Sequence, residues 1–289
     1  MHTNHFSPSR TAITMALARA VHQLLDEPIV LQDPIAEFLL DEDMRLKLHD
    51  NPYEFNDPMA RTMRAAMVAR NCVVRDALIK AKKENHNLKQ FVMLGCGLDA
   101  FSLNQASIFK DIQFYDVDTP KMMAWRADRL NEHHISLPEN VHNVNCDFNH
   151  QNAFEALSAV GFNKNEPVII SFMGVTPYLS NEVIYNMMEQ VLKLPKGSSI
   201  HFDYRVQSHL LNPIEQMMDK MVAAQVAKFG EPWLSEFIPD DLRINLLEMG
   251  FSQVEHFDTT TLNERYFARR KDGLQTTGGG LRLISAFIE

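Results

Sequence analysis

The residues from 90 onward predict an α/β fold built on a parallel sheet, and three observations carry that expectation. Short apolar runs alternate with helical ones four times in succession, the rhythm of a sheet covered on both faces. The first apolar run, "FVMLG", leaves through Gly95-Cys96-Gly97. A strand–glycine–helix turn of this kind meets nucleotide-like ligands at the carboxyl edge of an open sheet. Everything before about residue 85 reads as helix instead, so a helical cap over 1–85 precedes a core over 86–289, the two forming one structural unit.

The elements follow in order. "SRTAITMALARAVHQLL" places Ile13, Leu17, Val21 and Leu24 on one helical face, with Ser9 as its N-cap. "DPIAEFLLDEDMRLKL" opens a second helix, with Pro34 just inside an Asp cap. "DPMARTMRAAMVARNCVVRDALIKAKK" is a third and longer one. Strands are expected at 90–95, 112–118, 141–147, 167–174, 198–204 and 251–257. A last apolar run, 281–289, follows "RRKDGLQTTGGG" with no crossover helix before it, which permits antiparallel pairing. Residues 207–238 break the rhythm and predict an inserted Met-rich helix. Its Met217, Met218 and Met221 read as core or lid packing, or as the adaptable lining of an apolar pocket.

Bulk properties narrow the function. The 289 residues fit one large α/β domain or a core with additions, and 45% apolar residues suffice for a sizeable core. A net charge of −9 argues against a nucleic-acid partner, which needs clustered Lys and Arg. The densest basic cluster, Arg269-Arg270-Lys271, reads as a solvated loop. Cys72, Cys96 and Cys146 form no C-x-x-C pair, so neither zinc nor a disulfide framework is expected, and a reducing cytoplasm is the natural home. No apolar run approaches the ~20 residues of a membrane span, and "MHTNHFSPSRT" lacks the apolar core of a signal peptide. Nothing in the sequence fixes an oligomeric state.

The strand tips suggest the ligand. Asp116 lies nineteen positions after Gly97, at the tip of the second strand, where an acid accepts two hydrogen bonds from a ribose diol. The third strand ends in "NCDF", so Asp147 is placed to accept from an adenine amino group and Phe148 to cover a base face. Taken singly, Asp118 and Asp147 read equally well as helix caps; three tips in succession favour a ligand. Ribose and adenine fit NAD, whose G-x-G-x-x-A pattern "GCGLDA" satisfies, and they fit S-adenosylmethionine. The third helix bears on the choice. Arg70 falls amid the apolar face of Met63, Ala66, Met67, Val73, Val74 and Ala77, while Arg61, Arg64 and Arg75 fall on the other side. A guanidinium in an apolar stripe needs a partner. That partner is either a ligand carboxylate held by a bidentate fork or an internal Asp or Glu.

Together "SRTAITMALARAVHQLL", "MRAAMVARN", "FVMLGCGLDAF", "YDVDTPKMMAWRADRL", "CDFN" and "FMGVTPYLS" resemble the class I S-adenosylmethionine-dependent methyltransferases of the leucine carboxyl methyltransferase type. "HFDYRV", "FGEPWLSEFIPDDL" and "GGGLRLISAF" are similar to its bacterial branch of O-methyltransferases linked to polyketide biosynthesis. The resemblance covers about residues 8 to 288. It implies a Rossmann-like seven-stranded sheet with an antiparallel last strand, an N-terminal helical cap and an inserted helical lid. It implies that Arg70 grips the methionine carboxylate and that Gly95 and Gly97 let the backbone pass the methionine moiety. Asp116 would bind the ribose, Asp147 and Phe148 the adenine, and Met173 and Gly174 would line the sulfonium region. The loop departs from a "GAGLDT" type at Cys96 and Ala100, both small. Cys72 stands where many relatives carry a second Arg. Met173 stands near a Glu of the phosphatase-methylating members, which favours a small-molecule acceptor.

Methyl transfer asks the protein mainly for alignment and desolvation. A carboxylate acceptor needs no base at neutral pH, whereas a hydroxyl acceptor does. Tyr178 and Tyr204, each near a strand tip, and Arg10, opening the first helix, are the expected acceptor-site residues. His201 reads as a hydrogen-bonded sheet histidine more readily than as a base, and His133-His134 as a solvated helix end. The expected function is an S-adenosylmethionine-dependent O-methyltransferase acting on a small carboxylate or hydroxyl compound. The alternatives are an NAD-dependent oxidoreductase and a catalytically silent S-adenosylmethionine-binding protein.

Overall fold

The computed structural model describes residues 6–84, 87–148 and 150–289. The helical opening comprises α1 (Arg10–Leu25), α2 (Glu42–Asp50) and α3 (Pro58–Glu84). Ser9 caps α1 by accepting from the Ala12 N–H. The second expected helix is broken. A short 3-10 turn at Ala36–Leu39 ends where Leu40 becomes extended, and Asp41 starts α2 afresh by accepting from Met44 N at 2.7 Å. Asp33 is therefore no cap. It is buried, receiving Arg19 Nε at 2.9 Å and Asn104 Nδ2 at 2.6 Å.

The core alternates as the pattern requires. Strands β1 (Gln90–Leu94), β2 (Gln113–Asp118), β3 (Val141–Asn145), β4 (Val168–Phe172) and β5 (Ser198–Arg205) enclose α4 (Phe101–Gln105), α5 (Pro120–Glu132), α6 (Ala153–Ala159) and α7 (Asn181–Val191). After β5 come the inserted α8 (Pro213–Lys228), α9 (Pro239–Met249), β6 (Gln253–Phe257), the short α10 (Thr259–Leu262) and β7 (Leu281–Ile288). The seven strands lie in the order β3-β2-β1-β4-β5-β7-β6. The first five pair in parallel, and β7 runs antiparallel between β5 and β6. Reversal of strand order at β1/β4 opens the crevice where such sheets bind ligands.

Two apolar layers sandwich the sheet. One joins Phe91, Met93, Ile169 and Leu283 to α1 and α3; the other joins Val92, Ile170, Phe202 and Tyr204 to α7 and α9. Buried arginines stitch the first layer. Arg19 pairs with Asp33, Arg64 with Asp26 and Arg126 with Asp116. Arg64 thus does not face water as its helical position suggested. The loops around Asp26 and Asn56 fold over that side of α3, and Arg64 donates to both Asp26 oxygens and to Asn56. Burial opposes the Asp26 charge, yet His22 and Arg64 hold its carboxyl below the ordinary range.

The insertion is a helix with a complete capping box, Asn212 accepting from Glu215 N while the Glu215 carboxylate reaches back to Asn212 N. None of its residues is buried, and Met217 and Met221 are 58% and 65% exposed. The core reading of these methionines is corrected, because α8 meets the body through Asp219, which takes Arg205 Nη2 on both oxygens at 2.9 and 2.7 Å. Arg270 likewise leaves the solvated loop expected of it, pairing with Asp272 and donating to Pro28 O at 2.6 Å.

His201 is the sheet histidine expected. It lies wholly buried between Ser199 Oγ (2.9 Å) and Ser285 Oγ (2.6 Å), and burial drives its pKa down to about 3 from 6.5. Between those values the unfolded chain binds a proton that the folded chain refuses, so stability falls as pH drops below 6.5. Each pH unit lost in that window costs about 1.4 kcal/mol at this site. Urea unfolding near pH 7 and near pH 5 measures the slope, and His201→Gln is expected to remove this component of it.

Candidate cofactor and acceptor site

The carboxyl edge of β1 carries the glycine turn. Gly95 and Gly97 both have positive φ, +71° and +49°. The Gly95 and Cys96 N–H groups donate to Val117 O at 2.8 and 3.0 Å, which folds the turn over the end of β2. A Cβ on Gly95 would stand 2.3 Å from Val175 Cγ2, whereas the space beside Gly97 is open within 4 Å. Cys96 is buried, and burial pushes its thiol well above the ordinary range, so it acts as a small apolar filler.

Asp116 is not at the strand tip. It sits mid-strand, 0% exposed, with Arg126 Nη2 at 2.7 Å on one oxygen and Ser102 Oγ at 2.5 Å on the other. The ribose assignment made for it is corrected on geometry. The strand runs on to Asp118, whose side chain shares the same face two residues later. Asp118 Oδ2 accepts from Gly97 N at 2.8 Å and Oδ1 from Thr119 N at 2.7 Å, leaving acceptor capacity on each oxygen. Burial lifts its carboxyl above the ordinary range against the pull of those two N–H groups. Thr119, not Asp118, caps α5. The last-in-strand position of Asp118 is the signal in the sequence that points to it rather than to Asp116.

At the third tip, Asp147 is partly exposed, its N–H donating to Gln151 Oε1 at 2.9 Å and its Oδ2 4.0 Å from His150 Nε2. Phe148 is half-buried and meets Phe172 edge-on at 6.3 Å. At the fourth tip, Met173 is buried and Gly174 has φ +74°. Gly174 N donates to Asp203 Oδ1 at 2.7 Å.

Arg70 points inward, 6% exposed, and its Nη1 lies 3.2 Å from Asp203 Oδ2. The internal partner left open by the sequence therefore exists, on β5. It engages one nitrogen only. Arg70 Nε is buried with no hydrogen-bond partner among the described residues. A Cβ on Gly174 would come within 2.8 Å of Nη1, so backbone closes that side and the Nε–Nη2 edge is the one left for a carboxylate. This orphaned donor, the open space at Gly97 and the tip acid Asp118 fit the amino-acid, backbone-crossing and ribose parts of S-adenosylmethionine.

Tyr178, the first of the expected acceptor residues, lies in a 3-10 turn after β4. Its hydroxyl lies between Thr11 and Trp233, and burial raises its pKa above the ordinary value. The segment after α8 is sewn to these tips: Leu234 N donates to Pro177 O, Ser235 Oγ to Thr176 O and Phe237 N to Arg205 O, all at 2.7–2.8 Å. Thr11 Oγ1 donates to Glu231 Oε2 at 2.8 Å, Arg10 lies 4.3 Å over the Phe229 ring, and Arg205 lies 4.1 Å over Trp233. Tyr204 does not join them. Strand β5 continues through Arg205, so alternation turns Tyr204 to the opposite layer. There it is fully buried against Phe237, with its hydroxyl 3.0 Å from His256 Nδ1. Its expected acceptor role is corrected. Trp233, Glu231 and Asp203 were missed. The first two are reached only by the fold-back after the lid, while alternation along β5 puts Asp203 on the face of His201 and Arg205, nearer the carboxyl edge than His201.

A parallel sheet reversed at β1/β4, with antiparallel β7 and a glycine turn at its carboxyl edge, defines the class I methyltransferase architecture. The family description "Leucine carboxyl methyltransferase" matches residues 12–192, and the chain belongs to that family. The Bacillus subtilis protein YktD, described as an S-adenosyl-L-methionine-dependent methyltransferase, is 29% identical over 92% of this chain and 93% of its own length. A Mycolicibacterium smegmatis protein of the same description is 26% identical over 78% of this chain and 74% of its own. A DUF574 family protein from Streptomyces avermitilis shares the fold at TM-score 0.57 and 14% identity, covering 98% of each chain. A Thermobifida fusca protein described as a methyltransferase does so at 0.54 and 16%, covering 98% of this chain and 96% of its own. The chain is an S-adenosylmethionine-dependent methyltransferase, and the NAD alternative gives way. Among the described residues no helix is long and apolar enough to cross a membrane, and no group of His, Cys, Asp and Glu could hold a metal ion.

The two β2 acids separate by mutation. Asp118→Ala is expected to weaken S-adenosylhomocysteine binding about 10- to 100-fold with little loss of stability, the range for hydrogen bonds lost at a charged acceptor. Asp116→Ala strands Arg126 in the core and is expected to cost about 3–5 kcal/mol of folding stability. Calorimetry and urea unfolding read the two effects independently.

Proposed function

We propose that this chain is an O-methyltransferase for a small acidic molecule, and that the acceptor reaches the site as a carboxylate. Arg70, Gly95, Gly97, Asp118, Asp147, Phe148, Met173 and Gly174 hold the cofactor. Bound there, S-adenosylmethionine supplies a methyl group on a cationic sulfur, already activated for in-line displacement. The chain's own groups align the acceptor and exclude water from it. Arg10 lies at the mouth, stacked on Phe229, and attracts an anionic acceptor toward Tyr178.

The observation that carries the choice of a carboxylate is the Tyr178 hydroxyl. Burial keeps its proton on, and it sits between Thr11 and Trp233. It donates a hydrogen bond to an acceptor oxygen and does not serve as a base at neutral pH. An acceptor with pKa near 4 needs none. The resemblance to the polyketide-linked branch adds acids of that type to the candidates. A reducing cytoplasm suits the three free, buried cysteines.

The test is a panel of carboxylic acids and phenols, with S-adenosylhomocysteine release and methyl-ester formation measured together. Ester formation is expected, with kcat/KM flat between about pH 6 and pH 8. Tyr178→Phe is expected to lower kcat/KM by up to about tenfold and leave the pH profile unchanged, as suits a neutral donor. Turnover confined to phenols, rising with pH, overturns the carboxylate reading. Cofactor binding with no turnover across the panel favours a silent binding protein.

A further inference from the structure

Besides Arg205, which Asp219 clasps, four arginines lie buried on the α1/α3 side of the sheet, and three of them make three or more hydrogen bonds each. Arg19 donates to Asp33, Met15 O and Leu98 O. Arg64 donates to Asp26, Asn56 and Phe55 O. Arg126 donates to Asp116, Gly97 O and Asp99 O. Arg70 makes a single hydrogen bond among the described residues, to Asp203 at 3.2 Å, and its Nε has no partner. Buried polar groups that serve folding alone are normally satisfied.

Its partner is equally underused. Asp203 is 1% exposed and receives Gly174 N on Oδ1 and Arg70 Nη1 on Oδ2. A carboxylate has about four acceptor sites, so about two remain. Asp99, whose charge also acts on Arg70, is no substitute. Its oxygens already receive Asn71 Nδ2 at 3.1 and 2.8 Å and Phe101 N at 2.9 Å, with the Arg19 Nη1 charge 3.8 Å away. Asp118 is committed to the β2 tip.

We propose that Asp203 binds the α-ammonium group of the cofactor while Arg70 binds its carboxylate, the two side chains reading an amino-acid zwitterion as a pair. The inference rests on the reading that the nucleoside lies across the glycine turn. Its warrant is charge balance. Arg70 and Asp203 together are neutral, and so is an α-amino acid. A simple carboxylate on the Arg70 edge would leave a net negative charge in a buried site, which is costly. An ammonium beside Asp203 removes that excess and fills its spare acceptor sites. Placement agrees, because Asp203, two residues short of the end of β5, is joined through Gly174 N to the tip of β4.

Isothermal titration of the full chain with three probes tests this: S-adenosylhomocysteine, its deaminated analogue that keeps the carboxylate, and 5′-methylthioadenosine, which lacks the amino-acid end. The wild-type protein is expected to prefer S-adenosylhomocysteine over the deaminated analogue by about 10- to 100-fold. Asp203→Asn is expected to abolish that preference while leaving 5′-methylthioadenosine affinity unchanged, and Asp203→Glu to restore part of it. An equal affinity of wild type for both amino-acid probes overturns the proposal, as does a preference that survives in Asp203→Asn. Loss of 5′-methylthioadenosine binding in Asp203→Asn makes the residue a structural tether and overturns it too. Failure of wild type to bind any of the three probes sinks the nucleoside reading itself, an outcome distinct from the others.

Discussion

A guanidinium held in an apolar layer must meet opposite charge, and that constraint organises the α1/α3 side of this protein. Two Arg–Asp pairs tie the helical opening together, Arg19 with Asp33 and Arg64 with Asp26, and a third, Arg126 with Asp116, ties α5 to β2. Arg19 also reaches the core, donating to Leu98 O at 2.7 Å. Replacing such a pair by apolar residues is often neutral, while removing one partner is severe. The pairs therefore fix where each helix docks more than how tightly it is held. Arg70 obeys the same rule incompletely, and the incompleteness is what marks the site.

The same helix that positions Arg70 also helps cover the sheet, so the under-bonded guanidinium and core packing share one element. The glycine turn hangs from β2 through Val117 O, and the tip acid Asp118 hangs from the turn through Gly97 N. Strands β1 and β2 thus present their ligand groups as a single hydrogen-bonded rim. Strands β4 and β5 do likewise through Gly174 and Asp203. Between these rims lies the crevice created by the reversed strand order, and the fold-back after the lid closes it from above through Tyr178 and Trp233.

Much of this was legible in the residues. The seven strands and the insertion before β6 follow from periodicity and turn chemistry, which local composition encodes directly, whereas the short α10 and the π-helical turn Asn263–Phe267 ahead of β7 correct the expectation of no helix there. The misses have a common physical origin. Asp116 and Asp118 differ by two positions on one strand face, so choosing between them requires the strand's end, and periodicity locates ends poorly. Tyr204 was misplaced for the same reason, since one extra residue of strand sends it to the other layer. Arg64 lies on the polar side of α3 by helical geometry, yet a loop brought from afar by Asp26 buries it. Trp233 and Glu231 belong to an irregular segment held by backbone hydrogen bonds to strand tips, and no local pattern announces such contacts.

The lid helix carries one consequence for how the molecule moves. Since α8 buries none of its side chains and is anchored chiefly by the Arg205–Asp219 clasp, its detachment forfeits little of the enthalpy that keeps the sheet intact. The helix is consequently free to loosen without disturbing the sheet. Its release unbuttons one ion pair on Arg205, while the segment that follows stays sewn to the strand tips through Leu234, Ser235 and Phe237.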